Sequence, residues 1–165
     1  MNTQRFLSLL LVTWLATALP HCLVAQTAIK SDAKKIAIQN MVDSQRFVFD
    51  AQSVSPMRGG YRNLSSIYDV SISKDSLVSY LPFFGRADNI AYNSTTPALD
   101  FTSTRFSYIV SPYKKDGWTI VIKPADRTDI NQYLFTVFNN GSASLTVDSN
   151  SRDAISFNGY IRKKN

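Results

Sequence analysis

Residues 132–147 read QYLFTVFNNGSASLTV, two alternating segments on either side of Asn140-Gly141. Asn-Gly is a strong hairpin signal, because the tight turn that matches the twist of paired strands needs positive φ at its centre. Successive side chains of a strand point to opposite faces. Tyr133, Phe135 and Val137 therefore share one face, and Ala143, Leu145 and Val147 share one on the returning segment. A hairpin with one apolar face must be covered by more sheet, and the rest of the chain supplies it.

RFVFDAQ alternates Phe47, Phe49 and Ala51 with polar neighbours, and PMRGGY then punctuates a turn. SIYDVSIS carries Tyr68, Val70 and Ile72 on one face. Lys74-Asp75 makes a reversal, and LVSYL returns. RFSYIV offers Phe106, Tyr108 and Val110. Lys115-Asp116-Gly117 is a second hairpin signal, followed by Trp118, Ile120 and Ile122 of WTIVIK. AISFNGYI closes the series with Ile155, Phe157 and Ile161. This is about eight closely spaced strands with no βαβ alternation. The expected fold is mainly β (α+β): an antiparallel meander closed into a barrel or folded as a sandwich, with one N-terminal helix packed on it. The helix is read over residues 27–42, with Ala33, Ile36, Ala37 and Met41, and Ile38 beside them, near helical spacing. Lys34 and Lys35 face away. Residues 86–103 read as a long connection with a short strand near Leu99 to Phe101.

The N-terminus has a different grammar. Arg5 precedes an uncharged apolar run from Phe6 to Leu19, Pro20 breaks it, and Leu23-Val24-Ala25 places a small residue before Gln26. Such a sequence specifies export by a cleaved signal peptide. The expected organisation is a leader over 1–25, a helix over 26–44 and one β domain over 45–162, with no transmembrane span after cleavage. The expected location is the periplasm, with the cell surface or the medium as alternatives. Pro20 and His21 make a poor approach to Cys22 for lipid attachment.

Cleavage after Ala25 removes Cys22 and His21, the chain's one cysteine and one histidine. The remaining chain then has no disulfide, no Cys–His or Ser–His–Asp nucleophile and no zinc site built on Cys or His. No cofactor and no metal are expected. All twelve acidic residues are Asp, a turn-forming residue, so most should punctuate loops. The formal charge of +6 falls to +5 without Arg5. The basic residues are scattered, so no nucleic-acid stripe is present. Arg162-Lys163-Lys164 reads as a solvated terminus. The expected partner is left open among an envelope glycan, a lipid and a protein.

The run YDVSISKDSLVSYLPFFGRADNIAYN resembles a family of exported proteins found mainly in Bacteroidota, domain of unknown function 4251. The family's Leu-Pro-Tyr-Phe-Gly-Arg-Ala core stands here as Leu81, Pro82, Phe83, Phe84, Gly85, Arg86 and Ala87, with Ser79-Tyr80 before it and Tyr92 after it. Phe83 replaces the usual Tyr. FDAQSVSPMRGGYRNL and NGSASLTVDSNSRDAISFNGYI resemble the family's two ends, so the likeness covers roughly residues 45–162. It implies a compact β-rich exported domain and no established activity.

The motif has its own physical reading. Pro82 cannot donate to a ladder, so pairing stops there. Phe83 and Phe84 project to opposite sides of an extended chain, one sealing the core and one facing outward. Tyr80, Phe83, Phe84, Arg86 and Tyr92 together offer an aromatic-plus-cation lip for a carboxylate or a sugar ring. The alternative is a structural corner whose arginine pairs with an aspartate. Other patterns carry less. Ser71 to Lys74 has Ser-x-x-Lys spacing but sits in a strand rather than at a helix start. Asp148, Asn150 and Asp153 lack the glycine and final glutamate of a calcium loop. Asp126 and Asp129 read as turn residues. The sequence therefore predicts a non-catalytic binding or structural β-domain of the envelope. Its alternatives are a barrel carrying a small apolar ligand and an Asp-dependent hydrolase.

Overall fold

A computed structural model describes residues 21–84, 99–114 and 116–164, with side chains from residue 32 onward. The chain divides into two units, residues 1–34 and 35–165. The first, where described, is helical from His21, the start of α1 (His21–Asp43). The second holds the rest of α1 and nine antiparallel strands in a nearly closed barrel.

The strands are β1 (Phe47–Pro56), β2 (Arg62–Ile72), β3 (Leu77–Leu81), β4 (Leu99–Ser103), β5 (Phe106–Tyr113), β6 (Gly117–Pro124), β7 (Ile130–Phe138), β8 (Ser142–Ser149) and β9 (Ile155–Lys163). Eight are the strands expected from alternation, and the ninth, β4, is the short strand placed near Leu99. Their order is β4-β3-β2-β1-β9-β8-β7-β6-β5. Two meanders thus meet where the first strand pairs with the last. The turns follow their chemistry. Gly59 and Gly141 have positive φ, and the Gly141 amide donates to the Phe138 carbonyl at 2.8 Å. Strand β3 stops at Leu81, before Pro82.

Inward residues fill the barrel. Phe47, Phe49, Tyr133, Phe135 and Phe157 are fully buried. Phe135 of β7 meets Phe47 and Phe49 of β1 edge-on, with centroids 6.1 and 5.6 Å apart. These strands are not neighbours, so the contacts cross the interior. Such ring pairs add about 0.5–1.5 kcal/mol each beyond area burial. The Tyr133 hydroxyl finds Ser79 Oγ at 2.9 Å, and Ser79 donates in turn to the Leu99 carbonyl at 2.8 Å. Tyr133 is therefore the donor of the first bond, since a serine hydroxyl has one proton to give. Burial pushes its phenol well above the ordinary value, so it stays neutral in this role.

Two expectations need correction. The apolar face of α1 is Ile38, Met41 and Val42, with Ile38 and Val42 buried; Ile36 and Ala37 are exposed. Both registers were close to helical spacing, and Ile38–Val42 won by meeting the barrel, where Tyr108 donates to the Val42 carbonyl at 2.9 Å. Val110 is also exposed, together with Ile109. Strand β5 is the end of the sheet, where alternation no longer separates an inside from an outside.

The junction of β1 and β9 has an irregular register. Ala51 pairs with Gly159, but Ser53 pairs with Asn158, so Gln52 is an extra residue on β1. On the other side of β1, Ala51 pairs with Tyr68 and Ser53 with Asn63, so β2 loops out through Leu64–Ile67. A Cβ on Gly159 would overlap the carbonyl of Asp50 and crowd the Ala51 Cα. Gly159→Ala should therefore force the two strands apart and cost about 1–3 kcal/mol, as overpacking does. Urea denaturation checks this. The midpoint should fall, while Asn158→Ala, on an exposed neighbour, stays within about 0.5 kcal/mol of the parent.

Candidate functional site

The bulge makes a groove on the outer wall of the barrel. It has a volume of about 330 Å3 and is lined by Gln52, Leu64, Ile67, Tyr68, Asp50 and Tyr160, among others. Small-molecule sites commonly run about 300–1,000 Å3, so this one lies at the small end. Outlooping at 64–67 supplies one bank. It leaves Ile67 83% exposed, a large apolar side chain that regular pairing would not present this way.

Four outward residues cross the strands beside the groove in one line. Tyr160 of β9 is paired with Asp50 of β1, Asp50 with Asp69 of β2, and Asp69 with Tyr80 of β3. Two carboxylates directly opposite one another repel, and Arg162 offsets this. Its Nε donates to Asp50 Oδ2 at 2.6 Å, and its Nη2 lies 4.0 Å from Asp69 Oδ2. The Asp50 side chain is only 14% exposed, whereas Arg162 is 45% exposed and reachable from solvent. Burial first, then the charge of Asp50, pushes the Asp69 carboxyl above its ordinary value, with Arg162 opposing. Tyr80 stacks on Tyr68, centroids 5.6 Å apart.

Tyr80 therefore belongs to this row, while Phe83 and Phe84 lie elsewhere. Both are half-buried and pack on the core, so neither faces outward as expected. Each carries a guanidinium over its ring: Arg152 at 5.9 Å from Phe83 and Arg62 at 5.4 Å from Phe84. Arg127 lies 4.4 Å over Phe101, and both Arg127 and Arg152 bond Asp129, at 2.9 and 3.2 Å. Burial pushes Asp129 up, but its hydrogen bonds to Arg127 and the charge beside it prevail, holding the carboxyl below its usual range. Aromatic-and-cation contacts are present here, built with Arg62 of β2 and with Arg127 and Arg152 of the β6–β7 and β8–β9 connections. Arg86 and Tyr92 lie outside the described residues.

Of the other described aspartates, Asp75, Asp116, Asp126 and Asp153 sit in turns or connections, whereas Asp100 and Asp148 lie in β4 and β8 and Asp32 and Asp43 in α1. Asp126 accepts from Ser103 Oγ and from the amides of Thr104 and Arg105, which hold its carboxyl below the usual range. Asp148 accepts from Asn131, and Asn150 donates to the Thr128 carbonyl. Among the described residues, no three His, Cys or Asp side chains gather as a metal site would require. No described helix is long and apolar enough to cross a membrane. The basic terminus is solvent-exposed at Arg162 and Lys163 and is also tied down, through Arg162 on Asp50 and Lys164 on Ser73, both at 2.6 Å.

Reading the sequence by alternation missed Asp50, Asp69, Tyr160 and Arg162. A signal existed: aspartate is depleted in strands, yet FDA and YDV each place one mid-strand between apolar residues.

The chain matches the family described as domain of unknown function (DUF4251) over residues 30–161. Its fold is similar to the crystal structure of a DUF4251 family protein from Bacteroides eggerthii DSM 20697. That match covers 81% of this chain and 87% of the other at a TM-score of 0.56 and 18% identity. No curated protein matches the chain in sequence.

A carboxyl with a higher pKa folded than unfolded binds more protons in the folded state. Its contribution to stability falls as pH rises from about 4 through the raised folded value, then levels off. Asp69→Asn removes that loss. The variant should melt at or above the parent's temperature at neutral pH, and the gap should narrow toward pH 4. Thermal melts across that range check this; a gap that widens toward acid would mean Arg162 holds Asp69 as a stabilising carboxylate.

Proposed function

Given that the chain belongs to the DUF4251 family, whose function is unknown, we propose that it is an exported envelope protein whose β-domain holds a ligand without transforming it. The holding site is the groove at the β1–β2 bulge. The observation that carries this reading is the union of a concave, partly apolar surface with convergent polar groups, Asp50 and Arg162, on rigid central strands. The leader-like sequence over residues 1–25 supports export.

The two alternatives fare unequally. An apolar ligand inside the barrel competes with Phe47, Phe49, Phe135 and Phe157, which already occupy the interior. An Asp-dependent hydrolase has one observation in its favour: Asp50 and Asp69 face each other, and Asp69 holds its proton more tightly than usual, as a general acid does. Against it, Asp50 is committed to Arg162 at 2.6 Å. The Asp50 oxygen that accepts from Arg162 is already engaged and is not free to attack a substrate.

The test compares the parent protein with Ser66→Trp, which fills the groove from its exposed bank. Both are incubated with native envelope extract, and retained glycans and lipids are identified chemically. A class of molecule retained by the parent and reduced about tenfold by Ser66→Trp is the expected result. Equal retention by both would remove the groove as the site. Protein isolated from its native cells should begin at Gln26; a start at Met1 would overturn export by cleavage.

A further inference from the structure

The row across β9, β1, β2 and β3 has a chemistry that narrows the ligand. We infer that the groove and this row form a subsite for a neutral oligosaccharide, held between Tyr160 and Tyr80 over the Asp50–Asp69 pair. The inference rests on reading the groove as a ligand site.

Neighbouring strands are about 4.8 Å apart, so the outer strands of a four-strand row stand about 14 Å apart. That span suits a short chain of rings better than a single small molecule. Tyr160 is 45% exposed and Tyr80 48% exposed. A phenol ring has an electron-rich face, which attracts the slightly positive C–H bonds on one side of a sugar ring. Each end of the row thus offers a platform. Between them stand two carboxylates, which accept, and a guanidinium, which only donates. Vicinal hydroxyls can donate to the first and accept from the second at the same time.

Other ligand classes fit less well. The two carboxylates and one guanidinium sum to a formal charge of −1. An anionic sugar, phosphate or headgroup therefore gains little there. A purely apolar chain would cover Asp50 and Arg162 without offering them a hydrogen bond, which is costly. Peptide binding by strand addition needs a free sheet edge. Strands β9, β1, β2 and β3 are each paired on both sides, and the row uses only their outward side chains.

The test is nitrogen-15 chemical-shift mapping of the labelled protein with four probes: cellotetraose, chitotetraose, a tetrameric hexuronate and lauric acid. Saturable shifts at the amides of Asp50, Asp69, Tyr80 and Tyr160 with at least one neutral tetramer are expected. Tyr160→Ala and Tyr80→Ala should each weaken that binding about tenfold, while Ile109→Ser, exposed on β5, leaves it unchanged. Tyr80→Ala and Tyr160→Ala lie at opposite ends, so a folding defect in one leaves the other informative. Shifts at these amides with only the hexuronate or lauric acid would overturn the saccharide assignment and keep the groove as a ligand site. Shifts with none of the probes would overturn the saccharide assignment, and the envelope-retention comparison then decides the groove by itself. Shortening of a bound tetramer would overturn non-catalytic holding and leave the saccharide assignment standing.

Discussion

The outer wall of this barrel depends on one close approach, the backbone of Gly159 against the carbonyl of Asp50. Strand β9 can lie there only because position 159 carries no side chain. The approach sets the register that pairs Tyr160 with Asp50 and admits Gln52 as the extra residue of the bulge. The same stretch of β1 faces the outlooped Leu64–Ile67 of β2 on its other side. Groove, row and ion pair are thus consequences of how two distant segments meet. A bulge at that point also bends and twists the strand that carries it, which turns a flat wall into a concave one.

The interior works on different terms. Its contacts are apolar, numerous and shared among strands far apart in the order, such as Phe135 of β7 against Phe47 and Phe49 of β1. Polar groups enter it at one satisfied chain: Tyr133, Ser79 and the Leu99 carbonyl tie β7 to β3 and β4. This stiffens the side of the barrel where β4 ends the sheet.

Much of the fold was legible because alternation is local. Eight strands, the turns at Gly59 and Gly141 and the inward sets on β1, β7, β8 and β9 all follow from spacing alone. The helix face was harder, since Ile36 and Ile38 both lie near helical spacing and only contact with the barrel selects Ile38. The exposed Val110 shows the same limit, because alternation cannot say which strand ends a sheet. Of the candidate site, Tyr80 was legible through its motif. Its partners were not: Asp50 and Arg162 are 112 positions apart, and no local pattern fixes that register.

The arginines show how differently one residue type can be used on the same fold. Arg152 and Arg127 are fixed by Asp129 and by aromatic faces, so their charge goes into closing loops at the Phe83 and Phe101 rings. Arg162 has the same chemistry, but it lies beside a groove and is nearly half exposed. A guanidinium that bonds one carboxylate can still present unused donors to solvent, because it has five. The difference between a structural arginine and a recognising one therefore lies in what covers it. At Arg162 nearly half of the side chain stays exposed at the edge of the groove that Leu64–Ile67 help to line.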